Sequence, residues 1–301
     1  ISQADFLHLK KTAEELMGHP ATSKDAKDLI KELKEALKTE ADILDAYLLK
    51  KDVYHFLESL EDAIKEYRDI SARPASWFFN EFKAQEAAIL TKKHDLIDPI
   101  KRFMESPQAD IYNSIFAFLR DNKPNLSSLD QEAVLALQTL MADEKVYIGG
   151  KLKDAKAKLG LLEDQLKRIL KQEKDKALAE IKPLYESLIT KAVGKQEIFN
   201  KIETAYQKVS DSISQETMIP MIVSHLADFA DRTYLDLLNE IELVHTPESG
   251  DKPRSKIINA KNLRPRFGKE IIESDSDLED YLKSLKEAFL NELGKGNRIK
   301  V

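Results

Sequence analysis

Residues 151–170 read KLKDAKAKLGLLEDQLKRIL, and their apolar positions Leu152, Ala155, Leu159, Leu162, Leu166 and Ile169 are spaced 3-4-3-4-3. That spacing predicts a helix with one apolar stripe laid against neighbouring helices. A polar interruption, KQEKDK at 171–176, precedes a second run of the stripe at Ala177, Ile181, Leu184, Leu188 and Ala192. Forty-odd helical residues extend roughly 65 Å at 1.5 Å per residue, so the stripe needs cover from other segments or from a partner. Helices on its C-terminal side are the natural cover. Pro183 lies inside the run and is expected to kink or interrupt it, because proline removes a hydrogen bond and crowds the preceding turn.

Composition agrees with a mainly α chain. There are only nine glycines in 301 residues, against a charged fraction of 33%. That leaves few turns and favours long helices, while 42% hydrophobic residues is too many for disorder. Zero cysteines exclude disulfides, thiolate metal sites and cysteine nucleophiles. The longest nearly apolar window, 218–230, contains Pro220, Ser224, His225 and Asp228 and is too short and polar for a bilayer. With no signal peptide, the expectation is a cytoplasmic protein without membrane attachment. The opening Ile1, with no initiator Met, reads as a piece of a longer protein.

Helical patterns recur along the chain. Residues 2–17 read as an amphipathic helix stopped by Gly18, and Thr22-Ser23 as the cap of the next. Pro74 is expected at a first helical position, leading through Trp77, Phe78 and Phe82. Ser128 with Gln131, and Ser276 with Glu279, read as capping boxes. Residues 146–150 form a non-helical bridge into the long helix, and two helices over 195–210 and 215–244 follow it. The predicted organisation is an N-terminal helical bundle at 1–145, the long helix with its cover at 146–245, a linker at 246–255 and a small strand-helix-strand appendage at 256–301. The architecture expected is an elongated, coiled-coil-like multi-helix rod with that appendage at its end.

Few constellations carry chemistry. Asp5/His8, Asp52/His55 and Glu242/His245 are acid-x-x-His pairs, a spacing that bundle metal sites use together with further buried glutamates. Their positions near helix ends favour capping acids and solvated imidazoles, so no metal is assigned; His94 with Asp98 reads the same way. No Gly-x-x-x-x-Gly-Lys-[Ser/Thr] loop is present, since Ile148-Gly-Gly-Lys151 lacks the first glycine and the following hydroxyl. A Gly-x-Ser-x-Gly elbow is absent too. These 301 residues read as non-catalytic and without a cofactor of their own.

Residues 145–176 carry ten Lys or Arg against five acids. Lys252, Arg254, Lys256, Lys261, Arg264, Arg266 and Lys269 fall in 252–269 with no acid at all. That second segment is a candidate for nucleic-acid backbone contact. The plainer alternative is a solvated linker balanced by the acids from Glu270 to Asp280, and the net charge of −6 argues against wholesale nucleic-acid binding. Trp77, Phe78 and Phe82 are candidate partner-docking residues, although core packing explains an aromatic cluster more simply.

Several of these stretches carry a family likeness. Residues 94–104 (HDLIDPIKRFM) with Ser106-Pro107, 118–122 (FLRDN), and Tyr147-Ile-Gly-Gly150 before a long helix resemble the C-terminal region of the large P-loop ATPase of BREX bacteriophage-defence systems (BrxC, also PglY). The ending at 271–275, 278–293 and 297–301 is similar too, and the likeness is weaker before Pro74. The resemblance implies an intracellular bacterial protein whose ATP and Mg belong to a P-loop domain outside this sequence. It also implies other BREX components as partners, including the DNA methyltransferase and the alkaline-phosphatase-like protein. The expected function is a helical assembly region making oligomer or partner contacts. A DNA-binding module using 252–269 and a stand-alone coiled-coil protein are the alternatives.

Overall fold

The computed structural model describes residues 2–245, 256–265, 267–269 and 271–301. The chain is mainly α and divides into two compact units, residues 1–164 and 165–301.

The first unit begins with α1 (Gln3–Met17), α2 (Ala26–Leu48), a 3-10 turn at His55–Leu60 and α3 (Glu61–Ala72). Next come α4 (Ala75–Asn80), α5 (Phe82–Lys92) and a π-helical turn, Lys93–Ile97, leading into α6 (Asp98–Met104). After α7 (Pro107–Asp121), a 3-10 segment Lys123–Ser128 and α8 (Gln131–Met141), turns at 144–151 lead into α9 (Leu152–Lys191). The core forms where α2 packs on α3, through fully buried Leu29, Leu33, Leu37, Leu44, Leu60 and Tyr67. A second nucleus is aromatic: Phe56 meets Phe103 edge-on at 5.3 Å, while Tyr54 stacks on Tyr112 at 5.2 Å and donates its hydroxyl to the Ala109 carbonyl. Such pairs favour offset and edge-to-face geometry.

In the second unit α9 is followed by α10 (Gln196–Gln215), α11 (Ile219–Asp228), a π-helical turn Phe229–Thr233 and α12 (Tyr234–His245). Then come β1 (Ile257–Asn259), α13 (Asp275–Gly294) and β2 (Arg298–Lys300). The two strands pair in parallel with Ile258 opposite Ile299, the strand-helix-strand order that the sequence predicts. Ala177 and Ile181 of α9 pack with Ile213, Ile222 and Phe229, and Leu188 and Ala192 with Ile198, Ile202, Leu235 and Ile241. The second run of the stripe is thus covered by α10, α11 and α12, helices on its C-terminal side. In the first run Leu152, Ala155, Leu159, Leu162 and Leu166 are all buried.

Several local expectations fail for identifiable reasons. Pro183 does not interrupt α9. Its ring is on an exposed position, and Ile181 and Leu188, both fully buried, hold the helix on either side. A proline penalty of about 3 kcal/mol is within what two such anchors stabilise, at about 1.5–3 kcal/mol each. Asp25, not Thr22 or Ser23, caps α2, because Glu32 reaches back to take hydrogen bonds from both of those residues. Asp130 displaces Ser128 as the cap of α8, and Ser274 displaces Ser276 at α13. Pro74 caps α4 from outside rather than occupying its first position. The single helix expected over 215–244 is two α-helices joined by a π-helical turn.

Candidate functional site

Trp77, Phe78 and Phe82 come together because a break at Glu81 turns α4 into α5, folding the three rings on one another at 5.1–5.6 Å. All three are under 5% exposed, so they build core, with the Arg73 guanidinium over the Trp77 ring at 5.6 Å. Burial leaves them little surface to offer a partner. The exposed member of the run is Phe79, at 42%. Phe78, Phe79 and Phe82 form the apolar wall of a cleft of about 330 Å³ whose other side is Asp5, His8 and Leu9 of α1, with Lys83 and Glu86 of α5.

Electrostatics fix the rim of that cleft. His8 Nε2 lies 2.6 Å from Glu86 Oε1, and Thr12 donates to the other Glu86 oxygen at 3.0 Å. Asp5 turns away from His8 to accept the Ser2 hydroxyl, which holds its carboxyl below the usual range. The pair read at Asp5/His8 is therefore split between a cap and an interhelical contact.

Members of the other acid-x-x-His pairs also make contacts elsewhere. His55 packs edge-on against Phe116, and Glu242 pairs with Arg298. The side chain of His245 lies outside the described residues. His94 approaches Glu15 at 3.5 Å, while Asp98 takes Lys93 at 2.6 Å. Among the described residues no group of three or more His, Cys, Asp or Glu is placed to hold a metal ion.

A second cleft, of about 620 Å³, gathers residues far apart in sequence: His94, Asp95, Arg102, Lys145, Tyr147 and Gly149 are in its lining. The π-helical turn at Lys93–Ile97 presents His94 and Asp95, and turns of this kind recur at functional sites. Gly149 and Gly150 have φ of 82° and 67°, which a side chain tolerates poorly, so the Tyr147-Ile-Gly-Gly150 bend depends on glycine. Tyr147 packs on Phe56 at 5.2 Å, and burial raises its hydroxyl pKa.

The C-terminal basic segment is only partly free. Lys261 pairs with Asp231 at 3.0 Å and Lys269 with Asp277 at 2.7 Å, while Lys256 and Arg264 are exposed. Lys252, Arg254, Arg266 and the linker at 246–255 lie outside the described residues. The appendage is held to α12 by an amide clamp that sequence reading missed. Asn239 Oδ1 accepts the Ile257 N–H at 2.8 Å, and its Nδ2 donates to the Ile257 carbonyl at 3.2 Å. Asn259, 4% exposed, donates to Asp231, and the Lys300 ammonium sits 4.9 Å from the Tyr234 ring centre. A lone asparagine in an amphipathic helix gives no sequence signal that it will mimic a strand edge.

Taken together these features define a helical, cleft-bearing protein. Residues 6–126 match the family model of the BREX ATP-binding protein BrxC alpha helical domain. Over that stretch the chain is similar to the helical region of a BrxC-like BREX protein. The match takes in α1–α3, where the sequence likeness was weaker, and ends before the 147–150 and 271–301 motifs that also suggested it. No curated protein matches the chain, and no solved structure matches it. Among the described residues no helix is long and apolar enough to cross a membrane.

Proposed function

We propose that this chain is the assembly region of a BREX ATPase, a rigid helical support that docks other BREX subunits or further copies of itself. ATP binding and hydrolysis are assigned to a P-loop domain outside these 301 residues. The match of residues 6–126 to the BrxC helical domain carries the reading and supports a part in BREX defence. The cleft beneath Phe79 supports the docking role, since exposed aromatics at the edge of a packed apolar wall are the common anchors of protein interfaces. The methyltransferase and the alkaline-phosphatase-like protein are the partners proposed.

The test is affinity capture of those subunits by the chain after nuclease treatment, with Phe79→Asp as the comparison. Retention by the native chain and loss by the variant supports the reading. Capture that disappears with nuclease refutes it and favours the DNA-contact alternative. That alternative, placed on 252–269, has the weaker support, because two of its four described cations already face carboxylates.

A further inference from the structure

A row of cations without an ion pair among the described residues lies on α2, within the first unit. Lys27, Lys31, Lys34 and Lys38 line a groove of about 550 Å³ closed on its far side by Ser71 and Ala75, with Glu35 its one acidic lining residue among those described. At 100° per residue their 4-3-4 spacing keeps all four within an arc of about 60°, on a line about 16 Å long. Lys34 donates to the Arg73 carbonyl at 2.7 Å, which brings exposed Arg73 to the same edge. Lys27, Lys31 and Lys38 are exposed and make no ion pair among the described residues. Several acids of α2 and α3 are used elsewhere, Glu32 by Thr22 and Ser23, Asp42 and Asp45 by Arg68, Glu40 by Lys101 and Glu66 by Lys92, while exposed Asp28 follows Lys27 in the row.

From this we infer that the lysine groove of α2 is a contact surface for the phosphate backbone of duplex nucleic acid. A duplex carries one charge per 1.7 Å of axis, so about ten phosphates pass along a 16 Å stripe, enough to face every lysine in it. A protein partner calls for an apolar anchor, and a membrane surface for an apolar face beside the charge. Here neither is present: the exposed large apolar residues of α2 begin at Ile43, beyond the stripe. The inference does not depend on the assembly reading and moves nucleic-acid contact from 252–269 to the opposite end of the chain.

Fluorescence anisotropy of the full chain with a labelled DNA duplex tests it. With about three phosphates neutralised, the slope of log K against log salt is about −2.7, so affinity falls about 40-fold between roughly 50 and 200 mM salt. The triple variant Lys27→Glu, Lys31→Glu, Lys38→Glu binds at least about tenfold more weakly with a slope near zero, because the counterion-releasing contacts are gone. The Lys→Gln triple, which leaves helix propensity intact, gives an intermediate loss at unchanged circular dichroism. Reversing Lys256 and Arg264 leaves binding as it was. No duplex binding by the native chain at low salt, or binding unaffected by the triple variants, overturns the inference. Displacement of the duplex by polyglutamate or by anionic vesicles at equal charge overturns the choice of nucleic acid as the ligand.

Discussion

Replacing Asn239 with alanine releases the C-terminal appendage while the helices beneath it stay folded. Asn239 makes two hydrogen bonds to the backbone of Ile257, at 2.8 and 3.2 Å, in a part-buried setting. Each is worth about 0.5–1.5 kcal/mol net, and stranding the strand amide adds to the loss, so the opening free energy of β1 and β2 falls by about 2 kcal/mol. At about 1.4 kcal/mol per factor of ten, that is a roughly 30-fold faster amide exchange, since exchange of an opened segment tracks its opening equilibrium. Hydrogen exchange read by mass spectrometry on peptides covering 256–260 and 296–301 measures it. α10 and the first unit are expected to exchange as in the native chain. Unchanged rates in both strand peptides refute the clamp, and an equal acceleration throughout α9–α12 refutes a locally acting one.

Glu32 supplies a pH-dependent prediction. Hydrogen bonds from Ser23 and Thr22 depress its pKa to about 2 from an ordinary 4.5. A carboxyl depressed in the folded state contributes stability that is complete above about 4.5 and lost as pH falls toward about 2. Glu32→Gln is therefore expected to flatten the acid limb of stability in that window while changing little of its shape at neutral pH, as read by acid titration of helicity. Gly18 supplies another. It closes α1 at φ 73° with its N–H on the Glu14 carbonyl, so Gly18→Ala costs about 1 kcal/mol, measured by urea unfolding.

The stripe of α9 was legible because burial on one helix face writes itself into local spacing: the polar break at 171–176 contains no buried residue, and the apolar positions on both sides are largely buried. Caps were harder, since Asp25 and Asp130 win by contacts that depend on how the preceding segment folds back, as Glu32 does across ten residues. The aromatic run at 77–82 announced a cluster but not its sidedness. Only the turn at Glu81 decides that Trp77, Phe78 and Phe82 go inward and Phe79 outward. The α2 lysines stand in the sequence at helical spacing, but the tertiary pairing of other α2 acids, Asp42 with Arg68 of α3 and Glu40 with Lys101 of α6, has no local signal. Clefts assembled from 94–108 and 145–150 have no local signature at all.

The central claim, a helix whose stripe is buried in one definite register, is tested most directly by one substitution at two adjacent positions. Leu162 is 1% exposed and Leu161 70%. Thermal unfolding of Leu162→Ala is predicted to show a loss of about 3 kcal/mol, a drop of about 6–12 °C for a unit of this size, and that of Leu161→Ala a change within about 0.5 kcal/mol. Equal losses at the two positions, or the larger loss at Leu161, would contradict the account.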